Sequence, residues 1–101
     1  SADLAVSELA RVLADPDARV RFKAGAALAQ IGPLAHRAVP QLQEALRDKD
    51  LGVAQRAATA LGCIGRKARP ALPALRIAAK SPDKDLSTFA AKAIRKIEAD
   101  D

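Results

Sequence analysis

The sequence predicts an all-α fold, a right-handed α-α superhelix (solenoid) of three helical hairpins and six helices. Three observations predict it. Residues 17–32 (DARVRFKAGAALAQIG), 50–65 (DLGVAQRAATALGCIG) and 83–98 (DKDLSTFAAKAIRKIE) align column by column at a spacing of 33 residues without an insertion. Self-similarity at such a period belongs to stacked repeats, each too small to bury its own apolar face alone. Half of the residues are apolar, mostly Ala, Leu, Val and Ile, with two Phe and no Trp, Tyr or Met. Alanine has the highest helix propensity and little volume, so it suits closely packed helices, whereas strands favour the aromatic residues that are scarce here. Finally, the apolar columns recur in steps of three and four, which places them on one helix face.

Taken in order, residues 3–101 divide into three units of 33, at 3–35, 36–68 and 69–101. The first helix of each unit is expected over residues 4–14, 38–47 and 71–80. Its buried stripe is Val6/Val39/Leu72, Leu9/Leu42/Leu75 and Leu13/Leu46/Ala79. Pro40 and Pro73 share a column. Proline is tolerated in a first helical turn, so the second and third of these helices are expected to begin beside them. The turns Asp15-Pro16-Asp17, Asp48-Lys49-Asp50 and Ser81-Pro82-Asp83 follow. Their last column is expected to cap the incoming helix, a structural role worth about 1 kcal/mol. The second helices then carry Val20/Val53/Leu86, Ala24/Ala57/Ala90, Ala27/Ala60/Ala93, Leu28/Leu61/Ile94 and Ile31/Ile64/Ile97 as core. Gly32 and Gly65 are expected to close the first two in a left-handed C′ conformation. The links 33–36 and 66–69 are read as short turns between antiparallel helices.

Several of these residues carry a recognisable pattern. It comprises the Asp-Pro-Asp-x-x-Val-Arg opening of 15–21, Ala24, Ala27, Leu28 and the Ile31-Gly32 close. Ala38-Val39-Pro40-x-Leu42 and Ala71-Leu72-Pro73-x-Leu75 continue it. On them the chain resembles the HEAT repeat family, more closely the short bacterial HEAT-like kind also found in phycobilin lyases. The resemblance covers essentially the whole chain and implies that the second helices line a concave side. It also implies an Arg, one residue after the Val column, that pairs with acids of neighbouring turns. Arg21 fits, but Ala54 and Ser87 replace it in the other copies. The ladder is therefore expected to be interrupted, with Arg21 bonding locally to Asp15, Asp17 or Asp50. Three repeats without an aromatic-lined pocket are too little to hold a tetrapyrrole, and no cofactor is expected.

The net charge of +5 is uneven: four acids and four bases in the first unit, three and six in the second, five and seven in the third. Such an excess suits solubility, an acidic partner or a phosphate backbone. The lone Cys63 excludes an intrachain disulfide and is read as a small buried thiol. No apolar run approaches membrane-spanning length, so no membrane partner is expected, and a reducing cytoplasm is compatible. The single His36 lies in a link, at no metal-ligand spacing from Cys63. No residues are expected to be catalytic and none to hold a metal. The expected function is a non-catalytic scaffold that binds another protein on the concave face, through Arg19, Lys23, Gln30, Gln55, Arg56, Thr59 and Phe89. Nucleic-acid binding through the same basic face is the alternative. In the last unit Lys92, Arg95 and Lys96 replace small or neutral residues of the earlier copies, as a polar end cap would. Helix 4–14, LAVSELARVLA, is apolar around much of its circumference, with only Glu8 and Arg11 charged. The chain is therefore expected to be the C-terminal part of a longer array, or to self-associate through that helix.

Overall fold

The computed structural model describes residues 1–99; the last two residues of the third 33-residue unit lie outside them. In chain order they form α1 (Ala2–Val12), α2 (Ala18–Ile31), α3 (Val39–Ala45), α4 (Leu51–Ile64), α5 (Leu72–Ala78) and α6 (Lys84–Glu98). Two 3-10 segments, Gly32–Ala38 and Gly65–Ala71, lead into α3 and α5. No strand occurs among the described residues.

The expectation of six full helices gives way to four. α1, α2, α4 and α6 run 11 to 15 residues. The first helices of the second and third units are instead composites, seven residues of 3-10 helix running into seven of α-helix. Local chemistry accounts for this. α2 and α4 stop at Gly32 (φ 72, ψ −139) and Gly65 (φ 79, ψ −141). These angles have the expected sign of φ, but ψ is far from the left-handed helical value near +47. They approach a region that is essentially glycine's alone. Pro33 is the second residue of the first 3-10 segment, and Pro70, which has no amide to donate, lies inside the second.

Seven residues is long for a 3-10 helix, whose hydrogen bonds are poorer than those of an α-helix. Packing supports these two. Ala35, Ala38, Ala68 and Ala71 are completely buried. Three residues per turn stack Ala35 on Ala38 and Ala68 on Ala71, so each segment turns one smooth alanine face to the core. The links expected as turns are therefore core elements. α3 and α5 start one residue before Pro40 and Pro73, as the proline column implies.

The second helices pack side by side in the order α2, α4, α6. α1 and the two composite helices cover them from the other side, α1 on α2 and α5 on α6. The molecule measures 32 × 30 × 17 Å. Its short dimension is that of two helical layers about 10 Å apart. Between the layers lie Leu28, Leu42, Leu61, Leu75 and Ile97, among the largest fully buried side chains. The aliphatic rows thus continue from hairpin to hairpin, with corrections at the flanks. Val20, expected in the core, is 36% exposed. Leu9, Ala27, Ile31, Ala79 and Ile94 are only half-buried. For Val20, Ala27, Ile31 and Ile94 the reason is that α2 and α6 each pack on α4 from one side and lack the second neighbour that covers Val53 and Leu61. Leu9 and Ala79 belong to the other layer.

Candidate partner-binding face

The turns that launch the second helices repeat one hydrogen-bond pattern. Asp17, Asp50 and Asp83 accept from the amides of Arg19, Val53 and Leu86 at 2.9, 3.1 and 2.8 Å. Two residues earlier, Asp15, Asp48 and Ser81 accept from the amides of those same capping residues at 2.8, 2.9 and 3.1 Å. Each turn is thus closed by two side chains in series, which fixes how the following helix is aimed.

Arg21 connects one turn to the next. Its Nε and Nη2 donate to the Asp48 carboxylate at 2.8 and 3.0 Å, and its Nη1 donates to the Asp15 and Pro16 carbonyls at 2.8 and 3.1 Å. The expected local bonding to Asp15, Asp17 or Asp50 is corrected. The carboxylate partner is Asp48 of the second hairpin, and Asp15 contributes only its backbone oxygen. Both side chains are about one-tenth exposed. The Arg21 hydrogen bonds hold the Asp48 carboxyl below its ordinary range, against the upward push of burial. Toward the third hairpin, where the second copy holds Ala54 in the Arg column, the contact is weaker: Gln55 donates to Asp83 at 3.4 Å.

On the outer surface of the second helices, Arg56 is the centre of a stack. Its guanidinium carbon lies 5.4 Å from the Phe22 ring centroid and 5.7 Å from that of Phe89. One cation on α4 is therefore held between an aromatic on α2 and an aromatic on α6. Its Nε is shut off from solvent and has no hydrogen-bond partner among the described residues. Gly25 makes room for the stem, since a Cβ there would stand 2.9 Å from the Arg56 Cβ. Phe22, which sequence reasoning left out of the site, is 39% exposed. Its signal was available only through helix stagger, because it sits one register before the Lys23/Arg56/Phe89 column.

The expected site residues divide into groups. Arg56 and Phe89 come together in the stack. Arg19 and Lys23 line an open depression of about 570 Å³ with Val20 and Phe22. Arg19 is exposed but engaged, its Nη2 lying 3.1 Å from an Asp17 oxygen; this contact holds the Asp17 carboxyl low. Thr59 and Phe89 line a crevice of about 90 Å³ between α4 and α6, with Lys92 and Lys96 at its rim. The Thr59 hydroxyl donates to the Gln55 carbonyl within α4. Gln55 serves the inter-hairpin contact to Asp83. Gln30 is exposed near the end of α2 and lines neither hollow.

The sequence matches the pattern of HEAT repeats over residues 2–62, from α1 through most of α4. The chain belongs to the HEAT repeat family. No curated protein matches it. HEAT repeats serve generally as protein-interaction scaffolds. Among the described residues no three His, Cys, Asp or Glu side chains gather as a metal site would require. His36 is half-buried in the first 3-10 segment. Cys63, expected to be buried, is half-buried in the last turn of α4, in a column whose other members, Gln30 and Lys96, are exposed. No helix among the described residues is long and apolar enough to cross a membrane.

Proposed function

We propose that this HEAT array is a non-catalytic scaffold that holds another protein on the face formed by α2, α4 and α6. In this reading the face is the concave side of a right-handed superhelix. The observation that carries it is the Phe22–Arg56–Phe89 stack. It crosses all three second helices and presents a cation and two aromatic rings in one place. Arg and aromatic residues are the side chains through which interfaces draw most of their binding energy. Rigid neighbours also reduce the entropy lost when a partner docks.

A pull-down with the chain as bait, compared with Lys23→Glu/Arg56→Glu, tests the reading. The double variant is expected to lose the retained partner while keeping the helical circular-dichroism signal. Equal retention by both proteins sinks the assignment of this face. The phosphate-backbone alternative is favoured by the cations Lys23, Arg56, Lys92 and Lys96, which make no ion pair among the described residues. Duplex DNA titrated at low and at physiological salt checks it, because binding to phosphates weakens steeply with salt.

A further inference from the structure

Charge is sorted along the second helices. Their C-terminal parts, residues 22–31, 55–64 and 88–97, contain Lys23, Arg56, Lys92, Arg95 and Lys96 and no Asp or Glu. Asp17, Asp50 and Asp83 cap the helices at the other end, where Asp85 follows and Arg19, Arg21 and Lys84 stand among them; Glu98, the last residue of α6, is paired with Arg76. Because α2, α4 and α6 lie side by side, the face carries a rim of mixed charge at one edge and a basic floor beyond it. Ten residues of helix span about 15 Å. Three adjacent helices span about 20 Å between their outer axes. The floor is therefore a patch some 15 by 20 Å, the length of about five or six extended residues.

We infer that the basic floor around Arg56 binds an acidic segment of a partner protein, with a partner carboxylate hydrogen-bonded to the Arg56 guanidinium. This rests on the scaffold reading of the same face. The rings of Phe22 and Phe89 fix the guanidinium and strip water from its faces, so the order a bidentate carboxylate contact requires is already present. Because Nε is shut off from solvent, a partner carboxylate meets the guanidinium through its terminal nitrogens. Lys92 and Lys96, one helical turn apart on α6, border the Thr59–Phe89 crevice and add cations beside the first. A nucleic-acid duplex fits less well. Its charge runs on past the patch in both directions, whereas a short acidic segment ends where the floor ends.

The test is selection of a random dodecapeptide phage library on the intact protein, followed by titration of the selected peptides as labelled synthetic probes. The expected result is enrichment of Asp and Glu in the selected peptides. Their affinity should fall at least about tenfold in Arg56→Gln and fall clearly in Arg56→Lys, which keeps the charge but not the planar fork. Thermal melting of both variants should remain cooperative, which separates lost binding from lost folding. Selected peptides without an acid excess, or ones that bind Arg56→Gln within twofold of the parent, overturn the inference. So does a duplex DNA probe that binds more tightly than any selected peptide. If non-acidic peptides are selected and still lose binding in Lys23→Glu/Arg56→Glu, the face stands and only its acidic preference falls. If no selected peptide responds to that double variant, the face falls too.

Discussion

Asp48 receives two hydrogen bonds from Arg21 and a third from the Asp50 amide, on a side chain about one-tenth exposed. Its carboxyl is lowered from the ordinary 3.8, first by the Arg21 hydrogen bonds. A carboxylate with a lowered pKa in the folded state binds fewer protons than in the unfolded chain. Its contribution to stability is therefore complete above pH 3.8 and is lost as pH falls through the folded value. Glu8 and Asp17 are lowered as well, by Arg11 and Arg19, but those pairs are solvated and salt screens them. Urea midpoints measured at high salt between neutral pH and pH 3 should thus fall in the parent and fall much less in Arg21→Met. An equal slope in both proteins would remove Asp48 as the acid-sensitive group. Arg21 was legible as the residue of the pairing column, but it was expected to bond locally and instead links to Asp48 of the next hairpin. Reading only the capping column, Asp17, Asp50 and Asp83, missed that Asp15, Asp48 and Ser81 form a second column of acceptors. Arg56 was legible as a surface cation, and its two aromatic neighbours were not, because the stagger of adjacent helices cannot be read from columns.

At the scale of elements, the four long helices follow from alanine content and apolar spacing, with aspartate caps on α2, α4 and α6, all open to inspection in the chain. The 3-10 segments do not. Residues 32–38 and 65–71 hold Gly, Pro, His, Lys and Arg, which read as loop by composition, and their alanines count as filler at the α-helical period. The useful signal is the step of three, Ala35 to Ala38 and Ala68 to Ala71, which gains meaning only once the helix has three residues per turn. A linker tolerates larger side chains, and a core element does not. Ala68→Leu, at a position with no exposure, should therefore destabilise the protein by about 1–3 kcal/mol through overpacking. Lys67→Leu, at the exposed neighbouring position, should change stability little. Chemical denaturation of the two variants checks the contrast, and indifference at both positions would return the segment to the status of a loop.

For the molecule as a whole, the consequence of layering is that α4 touches both α2 and α6, and each of those is stabilised through it. Stability in such an array is a sum of each hairpin's own contribution and its contacts with its neighbours. Removing buried volume at the centre should therefore uncouple both sides, while removing it at a flank should loosen one. Leu61 and Ile97 are both completely buried, the first on α4 and the second on α6. Truncation of either to Ala should cost about 2–5 kcal/mol, so the total loss does not separate the two sites. Its distribution does. In native-state hydrogen exchange, Leu61→Ala is expected to lower protection in α2, α4 and α6 together. Ile97→Ala is expected to lower it in α6, α5 and the second 3-10 segment, which pack against one another, and to leave the α2 amides near their parent rates. The same experiment bears on the binding face. The Phe22–Arg56–Phe89 stack spans three helices, so a flank that opens alone takes Phe89 with it and leaves Arg56 against Phe22. If both truncations lowered protection evenly from α1 to α6, the array would open as one cooperative unit, and the face would be either wholly assembled or wholly absent.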